Sequence, residues 1–548
     1  MRYDDLISLL GDFGRYQKIL YCILIIPTGI IGMQIMSPIF ILAVPDHRCA
    51  IPDLSNDTYA IQNEEHGQLV NKYIPMTTDN SGVASYSSCT IYDRSVNSTG
   101  MNISKEVPCS QWVYDMSVFQ DTVVTEINLV CEKTLYRAHA TTALNIGSLL
   151  GFIVMGSISD RFGRKKTYVL EMVLTSIFSL LLVWTPSIYI FVGIRFIVGF
   201  TVGVFYNTAF VYVMEFIGPS KRTLCGMFAN HVWTFGLFVY TGLAYGIRTW
   251  KNLQIASAVP CCFLIVYWWL IPESLRWLVS MGMQREADQI IQKMAKVNKV
   301  TLPIEPLDVQ INSSGRGTVV ALFCSKVLLF RTLIIFINWM TVSMMYYGLS
   351  LNVGNLGGDI YVNFAYSIVM EFVAYTISIP AMSRLGRKKF HCLSMLLGGL
   401  ALLTTVFPTV FADKSTSLVI TILAMIGKFA SAAAFGTIYL YSTELFPTVV
   451  RSAGMGASAF CAGVGGIIAP YIVELANLTE GRARDVLPLI VFGIPSLLAG
   501  GLSLLLPETS KGHLPDTILD AKHLNSLLTT TEMVEMANGQ RDLTDIGT

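Results

Sequence analysis

The chain has 548 residues, of which 53% are hydrophobic and only 14% charged, with 38 Lys and Arg against 37 Asp and Glu. So few charges cannot cover the surface of a water-soluble protein of this length, where roughly a quarter of residues are charged. A net charge of +1 excludes a strongly basic nucleic-acid binder and an acidic tail protein.

The apolar residues come in twelve long runs: 19–44, 138–158, 167–186, 188–213, 223–247, 252–271, 332–351, 360–382, 390–412, 415–443, 452–473 and 486–506. Each can form a helix of about 20 residues, enough to cross a bilayer. The expected class is an all-α membrane protein of twelve spans. Only Glu171, Arg195, Glu371 and Lys428 bring Asp, Glu, Lys or Arg into the runs. The polar start 1–18 contains Asp4 and Asp5, so the first run reads as a retained span rather than a cleaved leader.

The loop 45–137 carries Cys49, Cys89, Cys109 and Cys131, an even set suited to an oxidising compartment, with three possible pairings. It also holds glycosylation sequons at Asn56, Asn97 and Asn102. Short loops on the other side are basic, as in Asp160-Arg161-Phe162-Gly163-Arg164-Lys165-Lys166. The excess of Lys and Arg there predicts that face, and both termini, to be cytoplasmic. The expected setting is the plasma membrane, with the cysteine-bearing loop outside. A linker, 272–326, contains an amphipathic helix at 285–297 with Ala287, Ile290, Ile291, Met294 and Ala295 on its apolar stripe. It separates a bundle at 19–271 from one at 327–506, and a polar tail, 507–548, is expected to be mostly disordered.

The halves echo each other. GSISDRFGRKK follows span 2 and SRLGRKK follows span 8; EFIGPSKR follows span 4 and ELFPTVVR follows span 10; PESLRW follows span 6 and PETSKG follows span 12. Three echoes in one order indicate a duplicated six-helix unit, an architecture that holds solutes between its halves. Gly454, Ser458, Ala462 and Gly466 recur at every fourth position of span 11, a pattern for close helix packing.

Gly156-x-x-x-Asp160-Arg161-x-Gly163-Arg164-Lys165 resembles the loop signature of the major facilitator superfamily. PESLRWL, PETSKG, ELFPTVVR and YYGLSLN, with the long cysteine-bearing loop, resemble its organic cation, anion and zwitterion branch, most closely the cation and carnitine members. The resemblance implies two pseudo-symmetric six-helix bundles that transport by alternating access. It also implies a gating network on the cytoplasmic face, for which Asp160, Arg161, Arg164, Glu215, Arg222, Glu273, Arg276, Glu444 and Arg451 are the candidates.

A carboxylate near the bilayer centre is a functional candidate, and Glu371 has eleven residues of its run on either side. Tyr375 shares its helical face. Trp339, Tyr346, Tyr347, Phe435, Tyr439 and Tyr206 offer π faces to a quaternary ammonium ligand. The resemblance supports Glu371, Trp339, Tyr346, Phe435 and Tyr439 as substrate contacts. Lys428 can either pair with Glu371 or meet the carboxylate of a zwitterion. Gly463 and Tyr375 stand where relatives carry charges that distinguish cation from anion members, which argues against an anion carrier.

The expected function is potential-driven transport of organic cations. The alternatives are ion-coupled transport of a carnitine-like zwitterion and a non-transporting receptor or scaffold. No phosphate-binding loop, His-Glu-x-x-His or Cys-x-x-Cys site occurs, so no enzyme activity, cofactor or metal is expected. The expected partners are a small organic cation or zwitterion and the lipid bilayer, with no nucleic acid and the oligomeric state left open.

Overall fold

The computed structural model describes residues 3–78, 84–93, 105–218, 220–301, 320–323, 325–411, 417–447, 450–477 and 483–509. Twelve long helices occupy the twelve apolar runs. Span 1 is Arg15–Met36, continued by Pro38–Ile41; spans 2 to 6 are Leu135–Phe162, Arg164–Leu181, Ile188–Met214, Arg222–Gly246 and Trp250–Phe263. Spans 7 to 12 are Lys326–Leu351, Ile360–Leu385, Arg387–Phe411, Ser417–Leu445, Arg451–Asn477 and Ala483–Ser503. Eleven are apolar enough to cross a membrane; the remaining one, span 5, is 25 residues long. Large apolar side chains such as Trp184, Tyr189, Trp269 and Leu498 are exposed on the bundle's outer surface, as lipid contact requires.

Each half packs within itself, span 2 on span 4 and span 7 on span 11. The halves meet where span 2 packs on span 11 and span 5 on span 8. The tightest approach uses glycine: a Cβ on Gly199 would lie 2.0 Å from the Leu144 carbonyl, and one on Gly465 would lie 2.1 Å from the Met340 carbonyl. The four-residue stripe of span 11 therefore does not make its closest helix contact. Gly465 does, while Ala462 and Gly466 of the stripe face an internal cavity. At about 100° per residue a four-residue repeat drifts by about 40° per step, so Gly465 shares a face with Gly454 and Ser458, while Ala462 and Gly466 have turned from it toward the cavity.

The loop 45–137 is a small domain on one end of the bundle, the loop face. His47–Cys49 pairs antiparallel with Trp112–Tyr114, and Thr90–Asp93 with Lys105–Pro108. Of the three possible cysteine pairings the structure has Cys49–Cys109 and Cys89–Cys131. The side chains of Arg48, Asp57 and His66 are shielded from solvent and form a polar core, with Arg48 Nη1 3.1 Å and His66 Nε2 3.0 Å from the Asp57 carboxylate. Asn56 is exposed; Asn97 and Asn102 lie outside the described residues.

On the opposite, basic face the start of the chain is more ordered than its polarity suggests. Helix Tyr3–Leu9 buries Tyr3, Leu6 and Ile7, and Tyr3 donates to the Glu215 carbonyl at 2.5 Å. The amphipathic helix spans Gln284–Asn298 and buries Ala287, Ile291, Met294 and Ala295. Its Asn298 donates to Leu10 O and Gln17 Oε1, both at 2.8 Å, tying linker to N-terminus.

Candidate functional site

A cavity of about 370 Å³ lies between the halves. Among the sequence-proposed substrate residues, Tyr206, Trp339, Tyr346, Tyr347, Tyr375, Phe435 and Tyr439 line it. The i, i+4 spacing of Phe435 and Tyr439 and the i, i+7 spacing of Trp339 and Tyr346, about two turns, put these rings on the inward faces of spans 10 and 7. Trp339 and Tyr439 meet edge to face with centroids 4.7 Å apart, and Tyr346 and Phe435 lie 5.4 Å apart. Asn145, Ser148, Asn230 and Ser343 supply the polar wall, and Arg222 stands at the basic-face end.

Glu371 and Lys428 come together but not on the cavity wall. Both are buried, and Lys428 Nζ lies 3.2 Å from Glu371 Oε2. Lys428 also donates to Ser350 Oγ at 2.7 Å and sits 3.5 Å from the centroid of the Tyr346 ring. The Tyr346 hydroxyl donates to Glu371 Oε1 at 2.8 Å, and the Tyr375 phenol also interacts with this carboxylate. Glu371 was expected to face the hollow directly; here two tyrosines stand between it and the cavity. A bare carboxylate there would be costly, and the ion pair and phenols stabilise it instead. Gly463 lies on the wall, where a Cβ would come within 2.5 Å of Leu149 Cδ1, so span 2 closes over this position.

The loop-face end of the cavity is closed by contacts between the halves. Arg137 Nη1 lies 3.1 Å from Glu474 Oε1, and His139 Nδ1 2.9 Å from the Tyr471 hydroxyl. Below them Thr142 donates to Ile467 O at 3.2 Å and Asn145 to Gly466 O at 2.6 Å. Beside them Tyr361 stacks on Phe40 at 5.5 Å and packs against Phe119 and Tyr245. None of these was picked out in the sequence as a gate: Arg137 and Glu474 flank their apolar runs and read as ordinary loop charges.

On the basic face the gating candidates form the same circuit in each half. Glu273 accepts from the amides of Arg164 at 2.8 Å and Lys165 at 3.0 Å, capping span 3. Glu508 accepts from the Arg387 amide at 2.9 Å, capping span 9. Arg164 pairs with Asp160 at 2.7 Å and Glu215 at 3.5 Å; Arg387 pairs with Glu444 at 3.2 Å. Ser274 donates to Glu215, and Thr509 to Glu444. Gly163 (φ 108°) and Gly386 (φ 85°) end spans 2 and 8, and a Cβ on either would lie within 2.5 Å of the capping carboxylate. Arg222 and Arg451 donate to Ile217 O and Phe446 O at 3.0 and 3.2 Å. These pairs run within a half, not between halves. Arg276 lies over the Tyr3 ring, and exposed Arg161 over that of Phe162. Glu508 was missed because PETSKG was read only as an echo.

Glu171 and Arg195 are buried away from the cavity, bonded to Thr208 and Ser37. His231, at 3.0 Å from Thr376 Oγ1, bridges spans 5 and 8.

Residues 82–509 match the model of the family described as "Sugar (and other) transporter". The chain belongs to this family of the major facilitator superfamily. The transporter is 37% identical over 561 residues to an organic cation transporter protein of Drosophila melanogaster, covering 98% of each chain. It is 34% identical to human organic cation/carnitine transporter 2, over 94% of this chain and 93% of that one. It is 31% identical to a beta-alanine transporter of Drosophila melanogaster, over 94% and 89%. Among solved structures it resembles a xylose transporter from E. coli with a TM-score of 0.58, at 14% identity, covering 91% of this chain and 100% of that one. That likeness is one of fold.

Proposed function

We propose that this transporter moves organic cations across the plasma membrane by alternating access, with the disulfide-bonded loop outside and both termini in the cytoplasm. The observation that carries the reading is the aromatic cavity between the halves, whose Tyr346 hydroxyl is bonded to a buried carboxylate. Rings attract a desolvated ammonium group by roughly 0.5–2 kcal/mol each. Polarisation of Tyr346 and Tyr375 by Glu371 makes the wall more negative without exposing a carboxylate. The names of the relatives, at 34–37% identity, support the same substrate class. With the loop face closed and Arg222 at the other end, the conformation is one facing the cytoplasm.

A carrier of this kind needs no chemical fuel. A membrane potential supplies about 2.3 kcal/mol per charge per 100 mV, nearly fifty-fold accumulation. Lys428 beside Glu371, and the beta-alanine transporter among the relatives, favour a second reading, a zwitterion carrier. Uptake of labelled tetraethylammonium and carnitine under voltage clamp separates the two. Tetraethylammonium uptake that falls on depolarisation supports the first. Carnitine uptake without tetraethylammonium uptake supports the second. We assign the gating circuits a conformational role, and exposed Asn56 a glycan.

A further inference from the structure

We propose that Asn145 is the positioning residue that couples the cavity to the outer gate, by bonding a carbonyl that Pro470 leaves without a helical partner. Span 11 contains Pro470. Proline has no amide N–H, so the carbonyl four residues earlier, that of Gly466, loses its bond within the helix. At membrane depth such a carbonyl must find another donor. The donor comes from the other half of the protein: Asn145 Nδ2 of span 2 lies 2.6 Å from Gly466 O. One residue along, Thr142 of span 2 bonds Ile467 O at 3.2 Å.

The position of this bond gives it a function. Asn145 and Gly466 both line the cavity. Above them stand His139–Tyr471 and Arg137–Glu474. Below them Ser148 and Phe152 of span 2, and Ala459 and Ala462 of span 11, border open space. Among the described residues the Asn145–Gly466 bond is the innermost hydrogen bond between spans 2 and 11; below it their contact is apolar, Leu149 against Gly463, at the edge of the open space. Opening the outer gate requires breaking it, which leaves a buried carbonyl unmatched until water enters. An ordinary helix would pay no such penalty, because its carbonyls are already bonded. The proline thus turns part of the backbone of one half into a latch for the other.

The test uses the full-length chain at the cell surface, with Ser148→Cys as a reporter on the cavity wall one turn below Asn145. A membrane-impermeant thiol reagent added outside reaches Cys at 148 only when the outer gate opens; the chain without this substitution gives the background from native thiols. Asn145→Ala is expected to speed modification about tenfold, the equivalent of ~1.4 kcal/mol. Asn145→Asp, equal in shape but lacking the amide donor, is expected to speed it at least as much. Pro470→Ala, which restores an N–H for Gly466 O, is expected to give a smaller increase, and none in addition to Asn145→Ala. Unchanged modification in surface-expressed Asn145→Ala overturns the proposal. So does Asn145→Asp behaving as the parent, which would make Asn145 a space filler, or full additivity of the two single effects. The readout needs no substrate, so failure to carry tetraethylammonium would refute the cation reading while leaving this result intact.

Discussion

Replacing Lys428 by Met removes one partner of a buried ion pair and tests how Glu371 is held. At 3.2 Å and an effective dielectric of about 20, two unit charges attract by about 5 kcal/mol. That attraction offsets the desolvation of both groups, so deletion of one partner exposes the cost of the other, roughly 3–5 kcal/mol. Lys428→Met is expected to destabilise by this amount, since Glu371 keeps only its phenol contacts. Glu371→Gln is expected to cost less, because Lys428 retains Ser350 Oγ and the Tyr346 ring. The double variant, with no charge left, should lie within about 1 kcal/mol of the parent. Unfolding of the purified protein in detergent, followed by tryptophan fluorescence, measures all three. A Lys428→Met protein as stable as the parent, or a double variant that loses the sum of the two, would refute the argument. The stable double variant then separates stability from transport: tetraethylammonium uptake at the parent's level would show that Glu371 serves the fold alone.

Exchanging charges at the loop face should restore what a single reversal breaks. Arg137→Glu puts two carboxylates together and should open the outer end to impermeant thiol reagents, while Arg137→Glu with Glu474→Arg should close it again. Gly386→Ala forces a left-handed φ on a residue with a Cβ, costing about 1–2 kcal/mol, and drives that Cβ into the Glu508 carboxylate. Loss of thermal stability and of uptake is expected, with Gly163→Ala behaving alike at Glu273. In the loop domain, burial alone would raise the Asp57 carboxyl, but hydrogen bonds from Arg48 and the Ile51 amide more than offset this and hold it below the usual value. Its stabilisation is therefore present at neutral pH and lost only as pH falls through that lowered value, below about 4. Hydrogen exchange of 47–74 should stay slow at pH 5 and quicken below 4; Asp57→Asn should exchange faster at neutral pH and lose the acid step.

Much of this molecule was legible in one dimension. Apolar runs longer than a bilayer is thick have few ways to fold, because every backbone polar group must be satisfied inside the segment. The twelve helices, the duplicated halves and the cysteine-bearing loop follow from length and spacing. The inward aromatic positions of spans 7 and 10 were implied by the family resemblance, not by spacing, since aromatic residues occur on every face of such helices. What spacing cannot give is which helix meets which. Arg137 and Glu474 are 337 residues apart in sequence and 3.1 Å apart in space, and no local pattern marks them. The disulfide pairing, the capping of spans 3 and 9 by Glu273 and Glu508, and the bond from Asn145 to the carbonyl freed by Pro470 are all of this kind. The central carboxylate shows the division most directly: its depth could be counted along the chain. That it stands behind two tyrosines, paired with Lys428, was decided by packing, because a buried charge takes whatever partners the neighbouring helices bring within reach.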